Sequence, residues 1–351
     1  MIKPAIDIII PVWNRPVETR NCLVNLIDHS PDSRLIIVDN GCDRDTERML
    51  EEFAEILDQR AILLRNDINQ GYVRAVNRGL GHASAGLIAV IRNTSIVTDS
   101  WLVPVLRFAA ERSDAGIITP YLAKPSDWKR GVGKNRPLSN IEADHGSLAA
   151  VFITREAYKA VGGLDEDMDG GVWCLRDLSR RALKAGFITS IVSESVVLFE
   201  DDIPLGSVER RNSAIKRSRE LFRERWGEAR SFSVHFPKGA DMDILNKRLD
   251  IILTGARQGH IFTVILHSGL FKNLSKAGLE FLHENIQYVK VPLLFEGRAI
   301  ENTLKPVNLD SPEPEPVAGI DGIPFPSGIK AIPFSEVERT IDNTREEFYG
   351  D

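Results

Sequence analysis

The chain has 351 residues, 43% hydrophobic and 27% charged, with a formal net charge of −6. This length holds one large or two ordinary domains, and the acidic balance excludes non-specific nucleic-acid or membrane-surface binding by the chain as a whole. Three cysteines, Cys22, Cys42 and Cys174, with no Cys-x-x-Cys pair, predict reduced thiols and a cytoplasmic protein; the first apolar run is too short for a signal peptide, and no run approaches a membrane span.

In chain order, residues 6–12 form a continuous apolar run that reads as a buried strand ending at Pro11-Val12-Trp13-Asn14-Arg15. Pro16 suits the first turn of a helix over 17–29. Residues 35–38 are a second buried strand closed by Asp39-Asn40-Gly41, and Asp43 and Asp45 open a helix over 46–57. A third strand at 61–64 leads into Asn69-Gln70-Gly71 and a helix with Arg74, Asn77 and Arg78 on its polar face. The run at 87–91 is a fourth strand, stopping at Arg92-Asn93-Thr94-Ser95. Strand and helix alternating at this spacing give βαβ units and a mainly parallel sheet. Ligands in such sheets sit beyond the carboxyl ends of the strands, which is where these polar residues fall.

Further on, strands are expected at 116–120 and 147–154, with a basic loop between them at 124–136. Helices follow at 155–161 and 173–184, then short strands at 188–192 and 196–199, then a strongly charged helix at 212–226. Beyond about residue 230 the pattern changes. Helices are predicted at 243–256 and 270–283, strands at 261–266 and 286–291. A Pro-rich stretch then reads as an extended connector to a helix near 336–348.

The succession IIIPVWNR, IIVDNG, LRNDINQGYVRAVNRGL, GSLAAVFITREAYKAVGGLDE, DLSRRALKAGF and ERWG, covering about residues 5–228, resembles glycosyltransferase family 2. The resemblance implies an α/β fold of GT-A (Rossmann-like) type, a mainly parallel sheet flanked by helices. Residues 1–230 would form this domain, 231–305 a smaller α/β or helical C-terminal region, and 306–351 the Pro-rich connector and terminal helix. It implies a donor site for a UDP- or dTDP-hexose lined by Pro11, Asn14, Arg15, Asp39, Asn69, Gly71, Arg92 and Asn93. Asp39 would accept the N–H of the uracil or thymine ring. The sugar would pass, with inversion, to a hydroxyl of an acceptor that the sequence does not name: a glycan, a lipid-linked sugar, a protein or a nucleic acid.

Two departures from the family pattern stand out. The metal motif, usually two acidic residues one apart, falls on Asn93-Thr94-Ser95, so Mg or Mn would be weakly bound at most. The acidic pair that supplies the general base falls on Cys174-Leu175, and leucine takes no proton. Asp167 or Asp169, in the acidic loop just before, is the candidate surrogate base, and Glu200, Asp201 and Asp202 are candidate replacement metal ligands alongside Asn93 and Ser95. Lys134 and Arg136 in the basic loop are candidate acceptor or phosphate contacts. The contrasting reading is a degenerate module that binds a nucleotide sugar or a partner without transfer. The C-terminal third is expected to dock the acceptor or to mediate a homo-oligomer.

Overall fold

The computed structural model describes residues 6–129, 139–200, 207–291, 300–301, 304–305 and 312–349. The chain divides into two compact units, one of residues 1–140 and 145–227, the other of residues 141–144 and 228–351.

The first unit begins with β1 (Ile6–Val12), α1 (Pro16–His29), β2 (Ser33–Asn40), α2 (Arg44–Leu57), β3 (Ala61–Asn66), α3 (Tyr72–His82) and β4 (Leu87–Ile91). It continues with β5 (Ile96–Val97), α4 (Val103–Glu111), β6 (Ala115–Ala123) and α5 (Pro125–Lys129). The two-residue strand β7 (Ile141–Glu142) belongs to the other unit. Then come β8 (Ala150–Thr154), α6 (Arg155–Val161), α7 (Trp173–Lys184), β9 (Ile188–Leu198) and α8 (Val208–Trp226). The strands lie in the order β3-β2-β1-β4-β8-β6-β9-β5. The first four are parallel to one another, whereas β8 runs antiparallel to both β4 and β6.

Strand alternation sorts the core into two layers. Ile6, Ile8, Ile10 and Val12 of β1 pack with Leu35 and Ile37 of β2 and with Cys22, Leu23 and Leu26 of α1. Ile9, Ile36, Val38, Ile88 and Val90 face the opposite way, onto Val73, Val76 and Leu80 of α3. Residues two apart on a strand share a face, so an unbroken apolar run is what a sheet covered on both sides requires. The exception in β1 is Asp7, which is fully buried. Its carboxylate accepts two bonds from the Arg34 guanidinium, at 2.8 and 3.0 Å, and one from the Ala85 N–H at 2.8 Å, so the charge is paired and its lone pairs are used.

The second unit is a sheet of five strands, β10 (Ser231–His235), β11 (Ile261–His267), β12 (Ile286–Val291), β13 (Pro314–Ala318) and β14 (Ile332–Pro333), in the order β12-β11-β10-β13-β14. Every pairing in it is parallel. Its helices are α9 (Met242–Arg257), α10 (Ser268–Lys276) and α11 (Phe334–Tyr349). Two features depart from the sequence-based expectation. β10 is a strand where none was expected, and the Pro-rich stretch is no connector, because Pro314–Ala318 pairs along β10. The prolines are tolerated for a geometric reason. The Gly319 N–H donates to the His235 carbonyl in β10, and N–H groups two residues apart point the same way. Glu315 and Val317 therefore aim at β10, while Pro314 and Pro316, which have no N–H, aim at the side where β14 pairs only with Val317 and Ala318.

His235 ends β10 almost fully buried, with its ring 5.8 Å from that of His267 and 5.7 Å from that of Phe325. Burial, and then the charge of His267, push its pKa down from 6.5 to about 4. Between those values the unfolded chain binds a proton that the native state refuses, so stability falls as the pH drops through this window and levels off below it. We expect the second unit to lose on the order of 2 kcal/mol between pH 7 and pH 4.5. Calorimetric unfolding of the native chain and of His235→Phe checks this, and an equally steep loss in the variant would refute the assignment.

Candidate active site

The carboxyl ends of β1, β2 and β4 and the loop leading into α3 open onto a cleft of about 400 Å3. Its walls include Pro11, Val12, Trp13, Asn40, Asn69, Gly71 and Tyr72, together with Arg92, Asn93, Leu148, Asp169, Gly171 and Arg211. Five of the residues expected at a donor site therefore come together here: Pro11, Asn69, Gly71, Arg92 and Asn93.

Asn40, which the sequence reading passed over, organises the floor. Its amide nitrogen donates to Asn69 Oδ1 at 2.9 Å and to the Gly71 carbonyl at 3.1 Å. Its amide oxygen accepts from Asn66 Nδ2 at 2.8 Å and from the Gln70 N–H at 3.1 Å. One buried amide at the end of β2 thus holds the whole turn between β3 and α3. Its position directly after Asp39 at a strand end was the available signal.

Asn14 and Arg15 lie just outside these walls, both with left-handed backbones, φ 57° and 61°. Such a conformation costs a non-glycine residue on the order of 1 kcal/mol, and two in succession mark a turn that its surroundings enforce. Asn14 Oδ1 accepts the Asp43 N–H at 2.8 Å, which ties the end of β1 to the start of α2. Arg15 stands 3.8 Å from Glu18. Asp39 is buried, with one carboxylate oxygen accepting the Cys42 N–H at 3.0 Å and the other 3.7 Å from Arg65 Nε.

The acidic loop before α7 divides its two candidates. Asp167 is exposed, with an oxygen 3.9 Å from the Arg217 guanidinium, and does not line the cleft. Asp169 does. Its Oδ1 accepts the Val73 N–H at 3.2 Å, so it caps α3 from outside that helix, whose own N-cap, Gly71, has no side chain to do so. Burial pushes the Asp169 carboxyl above its ordinary value, against the pull of the Val73 and Tyr72 N–H groups and of Arg74. At the position where the family's base is expected, Cys174 is buried and its thiol is pushed up to about 12 by burial, with the negative charge of Asp169 adding to the effect. Leu175 is buried beside it.

The segment 93–95 presents no carboxylate to a divalent cation, only the neutral amide oxygen of Asn93 on the cleft wall. Asn93 uses its amide nitrogen on Thr19 Oγ1 at 2.8 Å. Ser95 is 1% exposed and turned inward, its hydroxyl donating to the Ala149 carbonyl at 2.8 Å. Glu200 is exposed on the surface, and Asp201 and Asp202 lie outside the described residues. Among the described residues no cluster of three or more His, Cys, Asp or Glu side chains could hold a metal. Lys134 and Arg136 also lie outside the described residues.

Residues 7–162 match the model of Glycosyl transferase family 2. Over this segment, which is less than half of the chain, the sequence is similar to that family. The matched segment supplies the β1, β2 and β4 walls of the cleft, whereas Asp169, Gly171 and Arg211 lie beyond it. EpsH of Bacillus subtilis (strain 168), which carries a glycosyltransferase name, is 28% identical over 128 residues, 36% of this chain and 36% of its own. The glycosyltransferase AglE of Haloferax volcanii is 28% identical over 102 residues, 28% of this chain and 33% of its own. The chain thus spans about a third of the length of these relatives. Among solved structures, GalNAc-T7 with UDP, GalNAc and Mn2+ superposes with a TM-score of 0.50 at 12% identity, covering 64% of this chain and 50% of that one. The fold is GT-A, and among the described residues no helix is long and apolar enough to cross a membrane.

Gly71 has φ 95°, and a Cβ placed on it would lie 2.0 Å from Asp169 Oδ2. We expect Gly71→Ala to lower stability by on the order of 2 kcal/mol, through backbone strain and displacement of the cap. Gly81→Ala, which meets no atom within 4 Å, should leave stability unchanged or slightly raised. Denaturant unfolding of the two variants checks the contrast.

Proposed function

We propose that the chain transfers a hexose from a UDP- or dTDP-sugar to an acceptor hydroxyl with inversion, Asp169 acting as the general base. The observation that carries this reading is the carboxylate of Asp169 on the wall of a strand-end cleft, beside the position where the family's base is missing. In a single displacement the acceptor oxygen bonds to the anomeric carbon and its proton passes to Asp169. The bond from that carbon to the diphosphate breaks, and its electron pair leaves on the phosphate oxygen. A carboxyl held above its ordinary pKa by burial is a better proton acceptor than a surface carboxylate. Asn40, Asn69 and Gly71 would shape the donor side, Gly71 by letting its backbone approach the ligand closely. The match of residues 7–162 to the family supports this assignment of the donor half.

A second reading, donor binding without transfer, draws on the fact that Asp169 already accepts the Val73 N–H and that Cys174 and Leu175 offer no base. Asp169→Asn separates the two. Asparagine keeps an oxygen for the Val73 N–H, so α3 stays capped, but it takes no proton. We expect turnover of a UDP- or dTDP-hexose to fall by 10²-fold or more with donor affinity little changed. The acid limb of the pH–rate profile should also disappear in the variant. Asp167→Asn should leave turnover unaltered. Equal turnover in Asp169→Asn and the native chain would remove the proposed base.

A further inference from the structure

A departing diphosphate needs positive charge. The segment 93–95 offers no anionic oxygen to hold a divalent cation for that purpose, since Ser95 is turned into the core and Asn93, whose amide nitrogen donates to Thr19, presents only a neutral amide oxygen. The cleft does, however, contain two guanidinium groups against one carboxylate, Arg92 and Arg211 against Asp169.

Arg211 is placed by packing and not by a loop. Among the α8 residues drawn inward are Arg211, Ala214, Ile215, Ser218 and Phe222, three or four apart, in a helix whose exposed positions are mostly charged. Gly170 fixes the approach of this stripe. A Cβ on it would lie 2.4 Å from the Ala214 carbonyl oxygen and 2.6 Å from Ser218 Oγ, so the backbone next to Asp169 lies directly against α8. One turn before Ala214, Arg211 reaches the cleft, and its Nη1 is buried there with no hydrogen-bond partner. A buried guanidinium nitrogen left unpaired is costly, and it marks a place prepared for an anion. Arg92 stands at the end of β4 with its guanidinium 5.4 Å from the Phe199 ring centroid, which restrains it at the same cleft.

We propose that Arg211, with Arg92, takes up the negative charge of the diphosphate leaving group in place of a divalent cation, so that donor binding is independent of metal. The inference rests on the donor reading above and adds to it the identity of the counter-charge. Guanidinium groups stay protonated throughout the accessible pH range and present paired N–H donors that match phosphate oxygens. Two of them equal the formal charge of one Mn2+ ion. They accept no proton and no electron, so the displacement balances as written above, with the electron pair remaining on the diphosphate.

The test is calorimetric titration of the full chain with UDP and with dTDP, first in chelator and then with Mn2+. We expect the nucleotide that binds to do so with the same affinity, within about twofold, in both conditions. Arg211→Gln should weaken it tenfold or more, in keeping with the loss of one charge-assisted contact, while the affinity for the matching nucleoside is unchanged. Binding that appears only with Mn2+ overturns the inference, and this arm needs no variant. Equal affinity of Arg211→Gln and the native chain for the diphosphate also overturns it. Failure of the native chain to bind either nucleotide under any condition instead overturns the donor reading, and this inference with it.

Discussion

The carboxylate of Asp169 occupies the space that a side chain at position 71 would need, and the geometry of the cleft depends on that contact. The close approach requires glycine at 71, leaves the N-terminus of α3 without a side-chain cap of its own, and brings in a carboxylate from nearly a hundred residues away to supply one. A helix N-terminus carries partial positive charge, which steadies the anion, while burial works the other way and raises its pKa. The same group is thereby fixed in place and made more basic than a surface carboxylate.

Around this contact two networks hold the remaining walls. On the strand side, Asn40 holds the β3–α3 turn through four hydrogen bonds, so that Asn69 and Gly71 keep their positions without help from a ligand. On the helix side, Asp177 is fully buried and accepts from Arg181 at 2.7 Å, Arg225 at 2.7 Å and Trp226 Nε1 at 2.9 Å. It thereby joins α7 to α8 and fixes the helix that carries Arg211. Trp173 against Phe222, with ring centroids 5.3 Å apart, adds an apolar contact between the same two helices. A satisfied buried carboxylate of this kind specifies one arrangement of the helices, because any other would leave its charge unpaired.

The cleft combines walls from the segment similar to glycosyltransferase family 2 with walls from beyond that segment. Where the family pattern asks for an acidic metal motif and an acidic base on a helix, this chain has an inward-turned serine and a buried thiol. In the proposed reading, the counter-charge and the base come instead from α8 and from the loop before α7. Both substitutes are held by packing against glycines, Gly71 and Gly170, at which any side chain would collide. The second unit has its own parallel sheet and its own core, built around Phe232, Val234, Phe262 and Val264.

The sequence by itself determined the layered α/β architecture of the first unit, because apolar runs such as 8–12 and 87–91 can be buried only between two layers of helices. It also placed the cleft, since polar residues following such runs fall at the carboxyl ends of parallel strands. It did not reveal the strand at Pro314–Ala318. Proline argues against a strand locally, and only the pairing partners show that the missing N–H groups face the side where β14 does not reach them. Nor could it separate Asp169 from Asp167, two residues apart in one acidic loop. That choice depended on which carboxylate finds a free helix terminus, and the terminus of α3 is distant in sequence. Arg211 was hidden for a related reason. In a helix dense with arginine, the one that reaches the cleft is distinguished only by the stripe that packs against Gly170, and tertiary contact alone reveals that stripe.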